Sequence, residues 1–177
     1  DGCGDLKGMA WSENAGWIDF GPSHGGVLID PMTGKFSGHA WSENLGWISF
    51  GGDYRIVTDW RAGPVTGFID LEVDKTGTTA ELSWSPLPDA RGYDVNWGDL
   101  EMLRESGGDL AEASHGCLAD DWGQTTLEHP DVPGAGTGFW YLVRGDSCGP
   151  AGTYDAGAGT EHHPRDGELA MHPDACS

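Results

Sequence analysis

Gly8-Met9-Ala10-Trp11-Ser12-Glu13-Asn14-Ala15-Gly16-Trp17-Ile18-Asp19-Phe20-Gly21 returns thirty residues later as Gly38-His39-Ala40-Trp41-Ser42-Glu43-Asn44-Leu45-Gly46-Trp47-Ile48-Ser49-Phe50-Gly51, with three of the fourteen positions changed. A period of this length marks stacked supersecondary units that bury their apolar faces against one another. The unit reads as β structure. Phe36, Gly38 and Ala40 alternate with Ser37, His39 and Trp41, then Ser42-Glu43-Asn44-Leu45-Gly46 supplies turn residues, and Trp47-Ile48-Ser49-Phe50 resumes the strand. Strand, tight turn and strand make a hairpin. Asn44 and Gly46 are the residues expected to take positive φ. A further turn is expected at Asp30-Pro31-Met32-Thr33-Gly34. Gly63-Pro64-Val65-Thr66-Gly67 echoes Gly34-Lys35-Phe36-Ser37-Gly38, but no third Trp-Ser-Glu-Asn segment follows.

Two readings of the repeat tryptophans follow. A lone hairpin is marginal in water, and stacking Trp11, Trp17, Trp41 and Trp47 between successive units would bury a large aromatic area at small rotamer cost. That makes the indoles the core of the repeat. The other reading leaves them open to solvent as a platform for sugar rings, beside the polar Glu13, Asn14, Glu43 and Asn44. The core reading is the expectation carried forward.

Downstream the texture changes. Residues 68–74 alternate, as do residues 79–84, and Gly92-Tyr93-Asp94-Val95-Asn96-Trp97-Gly98, residues 125–128 and residues 138–145 follow. Short strands separated by Gly/Pro turns indicate a β-sandwich. Glu101-Met102-Leu103-Arg104-Glu105 is expected to form one helical turn, and the stretch from Gly149 to Ser177 one strand near Thr153-Tyr154 followed by irregular chain. The fold class is all-β, with a Trp-rich hairpin-repeat domain over 1–66 and a sandwich with an irregular tail over 67–177.

Composition narrows the partners. The chain has 177 residues, 9 Lys+Arg against 29 Asp+Glu, and a formal net charge of −20. Nucleic acids and anionic membranes are therefore excluded, since both are gripped through Lys/Arg surface. No apolar run approaches the roughly 18 residues that span a bilayer. The chain opens on Asp1-Gly2-Cys3-Gly4 rather than methionine, as expected of a processed terminus or a fragment. Cys3, Cys117, Cys148 and Cys176 are widely spaced, without a Cys-x-x-Cys pair. An even number at such spacing reads as two disulfides formed in an oxidising compartment, and spacing alone leaves three connectivities open.

Ala80-Glu81-Leu82-Ser83-Trp84-Ser85-Pro86, Gly92-Tyr93-Asp94-Val95 and Gly138-Phe139-Trp140-Tyr141-Leu142-Val143-Arg144-Gly145 together resemble a fibronectin type III module over roughly residues 68–177. The family's second strand carries a core tryptophan, matched by Trp84. Its third carries a tyrosine, matched by Tyr93, and its sixth an aromatic-aliphatic run, matched by Tyr141 and Val143. The variant is similar to one of bacterial secreted and cell-surface proteins, its marks being Gly98-Asp99-Leu100-x-x-Leu103-Arg104, Cys117-Leu118-Ala119 and the phrase from Gly138 to Tyr154. The repeat is likewise similar to a Gly-x-Ala-Trp-Ser-Glu-Asn-x-Gly-Trp-Ile repeat of bacterial exported proteins. The resemblance implies an extracellular or cell-surface location. If 92–98 and 138–146 are neighbouring strands, Cys148 falls at the end to which Cys117 returns. Cys117–Cys148 is then the favoured bridge, and Cys3–Cys176 remains.

No nucleophile–base pair, zinc motif or phosphate loop is spelled out. Glu13 and Glu43 could face one another as glycosidase carboxylates would, but their position after Trp-Ser suits hydrogen bonding to the tight turn. Asp99, Asp109, Asp120 and Asp121 are the candidate oxygen ligands for calcium as a cofactor. His162, His163 and His172 are candidates for a transition metal. Arg144-Gly145-Asp146 sits at a strand end, where integrin-type presentation is not expected. The reading that results is a non-enzymatic structural or adhesive protein, a subunit of a surface assembly or filament whose partners are other protein chains or further copies of itself. Its alternatives are a carbohydrate-binding module using exposed tryptophan and an accessory domain of a larger secreted hydrolase.

Overall fold

The computed structural model describes residues 3–52, 56–155 and 164–177. The chain forms two compact units, Asp1–Gly63 and Pro64–Ser177. Among the described residues, most regular structure is antiparallel β-sheet, and the three helices are short.

The first unit is one six-stranded sheet built from β1 (Asp5–Leu6), β2 (Met9–Ser12), β3 (Gly16–Asp19), β4 (Gly26–Ile29), β5 (Phe36–Ser42) and β6 (Gly46–Ser49). Thirty residues separate equivalent strands. β5 is the fused counterpart of β1 and β2, and β6 is the counterpart of β3. Each hairpin turns through three residues, pairing Ser12 with Gly16 and Ser42 with Gly46. Gly16 (φ 68°) and Gly46 (φ 74°) take the left-handed position that closes such a loop. Asn44 does not share that role, since the positive-φ residues other than glycine are Asp89 and Asp121 among the described residues. The next turn is held alike in both repeats. Asp19 Oδ1 accepts the Gly21 N–H at 2.9 Å, and Ser49 Oγ accepts the Gly51 N–H at 3.3 Å. The expected turn at 30–34 forms as well, with the Asp30 carboxylate accepting from Met32 and Thr33 and held below the usual carboxylate range by those bonds.

The period-two alternation assigns the two faces. Val27, Ala40 and Ser42 are buried on one face, which also carries Ile18, Phe36 and Ile48. Phe20, Phe36 and Phe50 touch in a row, with ring centroids 6.0 and 6.1 Å apart. The core of the repeat is therefore made of phenylalanine, small aliphatics and a buried serine, and the indoles are on the other face.

The second unit pairs β7 (Leu71–Thr76), β8 (Thr79–Trp84) and β11 (Thr126–His129) in one sheet, and β9 (Gly92–Asp99), β10 (Ser114–Ala119) and β12 (Phe139–Asp146) in the other. Leu82, Trp84, Tyr93 and Val95 fill the space between them. The short helices α1 (Leu100–Glu105), α2 (Leu110–Ala113) and α3 (Arg165–Leu169) belong to a second apolar cluster, in which Leu110 and Leu169 meet Trp140 and Tyr154. The helical turn expected at 101–105 is α1. No strand forms at Thr153-Tyr154. Instead Tyr154 is buried, and its hydroxyl oxygen accepts a hydrogen bond from Asn96 Nδ2 at 2.7 Å.

Cys176 bonds to Cys117, 59 residues away in sequence, and none of the four cysteines is free. The favoured Cys117–Cys148 bridge and the remainder Cys3–Cys176 are both overturned. The reason lies in the tail, whose last residues are irregular chain, as expected, but are held in place by specific hydrogen bonds. It lies along β10, where Cys117 N–H donates to the Asp174 carbonyl at 2.7 Å, and Ser177 N–H donates to Asp120 Oδ1 at 3.0 Å. Gly116 permits that approach, because a Cβ there would lie 2.8 Å from Asp174.

Candidate functional site

Cross-strand register gathers the repeat tryptophans. Trp11 lies opposite Trp17, and Trp41 opposite Trp47. Trp41 also lies opposite Asp19 across the β3–β5 pair. Directly opposed residues share a face, so all four indoles project from the same side of the sheet, together with Met9, Leu28, Asp19 and His39. Their exposures are 62% for Trp11, 48% for Trp17, 42% for Trp41 and 49% for Trp47. The expectation that these rings form the core is thereby corrected. Each strand offers one face to Ile, Phe and Ala and the other to Trp, and a one-layer sheet buries only one of them.

The rings are ordered by one another. Trp41 and Trp47 meet edge to face with centroids 5.1 Å apart, and His39 stands edge-on to Trp47 at 6.4 Å. Gly25 runs close beneath Trp47, where a Cβ would lie 2.7 Å from the ring. The surface thus combines flat apolar rings with imidazole, carboxylate and hydroxyl groups from His39, Asp19, Ser37 and Ser49. An exposed apolar patch of this kind is a candidate contact surface. His39 and Asp19 were not singled out from the sequence, although the alternation that places His39 beside Trp41 was readable there.

Glu13 is exposed in the first hairpin turn, and Glu43 is engaged by hydrogen bonds. Glu43 joins the repeats: its Oε2 accepts the Trp17 N–H at 3.3 Å, and its own N–H donates to the Trp17 carbonyl at 3.1 Å. The expected hydrogen-bonding role is real, but it serves the neighbouring repeat's strand rather than its own turn.

The four calcium candidates are each engaged elsewhere, and the structure does not bring them together. Asp99 caps α1 by accepting from Glu101 and Met102 N–H at 2.6 and 3.0 Å. Asp109 caps α2 by accepting from Glu112 N–H at 3.1 Å. Asp120 holds Ser177 through both carboxylate oxygens. Among the described residues, its only metal-like grouping is with Cys117 and Cys176, whose sulfurs are joined to each other. Asp121 packs on Asp94 and Asp146. Burial and the Asp121 hydrogen bond raise the Asp146 carboxyl above its ordinary value. His172 Nδ1 accepts the Asp174 N–H at 3.1 Å, whereas His162 and His163 lie outside the described residues.

Arg144-Gly145-Asp146 is part of β12. Arg144 is turned into the unit, with Nε and Nη2 each 2.8 Å from Asp94 Oδ2 and its guanidinium 4.8 Å from the Tyr154 ring centroid. Asp94 is fully buried, so this pair is structural. The second unit also has an open cavity of about 420 Å³, bordered by Phe68, Leu71, Leu87, Tyr141, Val143 and Tyr154. Among the described residues, no helix is long and apolar enough to cross a membrane. No protein-family model and no curated protein matches the chain.

Proposed function

We propose that the chain is an extracellular, non-catalytic recognition protein that holds a glycan against the tryptophan face of its first unit. The observation that carries this reading is the exposure of all four repeat indoles on one side of one sheet. Indole rings present a broad apolar surface at small entropic cost, and the C–H faces of pyranose rings are its natural complement. His39, Asp19, Ser37 and Ser49 stand beside the rings as hydrogen-bonding groups for hydroxyls. The net charge of −20 favours a neutral glycan over a polyanionic one.

The second unit is read as a rigid carrier of the fibronectin type III kind. What supports this is its two three-stranded sheets, with Trp84 and Tyr93 edge to face at 5.5 Å in the core between them. Disulfide bonding supports the extracellular location. The test is calorimetric titration of neutral and acidic polysaccharides. A neutral glycan should bind. Trp41→Ala with Trp47→Ala should weaken it at least about tenfold, or ~1.4 kcal/mol, with Tm little changed because the rings are outside the core. Equal binding by the double variant would refute the assignment.

A further inference from the structure

The two repeats dock on each other through a contact that uses one half of each. On the first repeat it uses the outer edge of β3 and the turn before it. On the second it uses the Ser42-Glu43-Asn44 turn. Ser42 Oγ donates to the Ala15 carbonyl at 2.6 Å, Asn44 N–H donates to the same carbonyl at 3.3 Å, and Asn44 Nδ2 donates to the Asn14 carbonyl at 3.3 Å. Glu43 adds its two bonds to Trp17.

Because the repeats are nearly identical, each half of this contact exists twice, and only one copy of each is used within the chain. Ser12-Glu13-Asn14 repeats the docking turn, and Asn44-Leu45-Gly46-Trp47 repeats the receiving edge. Burial separates used from unused copies. Ala15 is 6% exposed beneath the second repeat, whereas its counterpart Leu45 is 63% exposed. Ser42 is fully buried, while Ser12 is only partly so. A Cβ at Gly16 would meet Glu43 and Asn44 of the other repeat, whereas at Gly46 it would meet only Trp41 of its own. A Cβ at Gly38 would strike the Gly26 carbonyl, whereas at Gly8 it would have no neighbour within 4 Å. Among the described residues, β2 pairs only with β3, and β6 only with β5.

We infer that a second copy of this chain docks head to tail, its Ser12-Glu13-Asn14 turn seated on the Asn44–Trp47 edge, in the geometry the two repeats already show. Trp17 has both its N–H and its carbonyl committed to Glu43, so these groups point away from Trp11. In the equivalent β6 the Trp47 N–H and carbonyl point outward and fit the Glu13 of the arriving copy. Leu45 is the apolar group the contact covers, where Ala15 is covered inside the chain. Such a contact is heterologous and leaves an unused half at each end, so it propagates. Strand edges left unpaired are the usual seat of association of this kind. It also repeats the tryptophan face from copy to copy.

The test is sedimentation of the full chain over a concentration series. The −20 charge resists association, so mass should rise with concentration and more steeply at high salt, where that repulsion is screened. Weight-average mass should climb past the 18.8 kDa of one chain without stopping at a dimer. Leu45→Lys spoils the receiving edge and Ser12→Lys with Glu13→Lys spoils the turn; each alters groups at the surface, and circular dichroism checks their fold. Each alone should be monomeric, because every contact would carry a spoiled half. Their equimolar mixture should form one-to-one dimers only, each dimer joining the intact turn of one to the intact edge of the other. A chain that stays monomeric throughout, a closed dimer that survives either variant, or a mixture that does not pair would each overturn the inference.

Discussion

At Asp94 a carboxylate is fully buried and answered by three donors: Arg144 Nε, Arg144 Nη2 and the Asp121 N–H. A buried charge is tolerable only when so matched. Arg144→Ala is therefore expected to cost about 3–5 kcal/mol, measured by urea unfolding, whereas Asp94→Asn with Arg144→Leu together should cost far less than the single change. His129 supplies a second residue-scale prediction. It is buried, its Nδ1 lies 2.8 Å from the Tyr141 hydroxyl, and its Nε2 lies 3.5 Å from Asp131. Burial lowers its pKa from the ordinary 6.5, and Asp131 only partly offsets this. The folded chain thus binds fewer protons there than the unfolded chain, so stability falls as pH drops through 6.5 and below. His129→Gln should flatten that acid limb in Tm measured between about pH 7 and about pH 5. A limb unchanged by the substitution would assign it to other groups.

The elements show what could be read from sequence and what could not. Five of the second unit's strands were legible because alternation and Gly/Pro punctuation agree, as at residues 79–84 and Gly92–Asp99, whereas β10 (Ser114–Ala119) was missed because Gly116 and the register shifts beside it break its alternation. The repeat hairpins were legible for the same reason. What misled was the choice of face. Ala40 and Trp41 are adjacent, so one must face outward. The size of tryptophan argued for the interior, but Phe36, Phe50, Ile48 and Val27 already fill that side. The disulfide was unreadable because the 172–177 segment reaches β10 through contacts that follow no periodic pattern. Ser42 marks the inner face of the repeat, donating to the Ala15 carbonyl and accepting the Leu45 N–H at 3.1 Å. Its replacement by alanine removes the Leu45 N–H's partner and leaves the Ala15 carbonyl only the Asn44 N–H, and is expected to cost about 1–3 kcal/mol in chemical unfolding. Ser12→Ala, at the partly buried copy, should cost much less.

For the molecule as a whole, the Cys117–Cys176 bridge fixes the chain's end to the second sheet, and Cys176→Ser with Cys117→Ser should lower stability by about 2–4 kcal/mol without affecting glycan binding. The first unit has a different logic. It places its four repeat tryptophans on an outward face, and the proposed glycan binding rests on that placement. Hydroxyl-radical footprinting read by mass spectrometry reports the solvent access of each tryptophan in one experiment. Trp11, Trp17, Trp41 and Trp47 should oxidise much faster than the buried Trp84 and Trp140 in the free chain, and slow selectively when a bound neutral oligosaccharide covers them. Repeat indoles that react as slowly as Trp84, or that no glycan shields, would contradict this account.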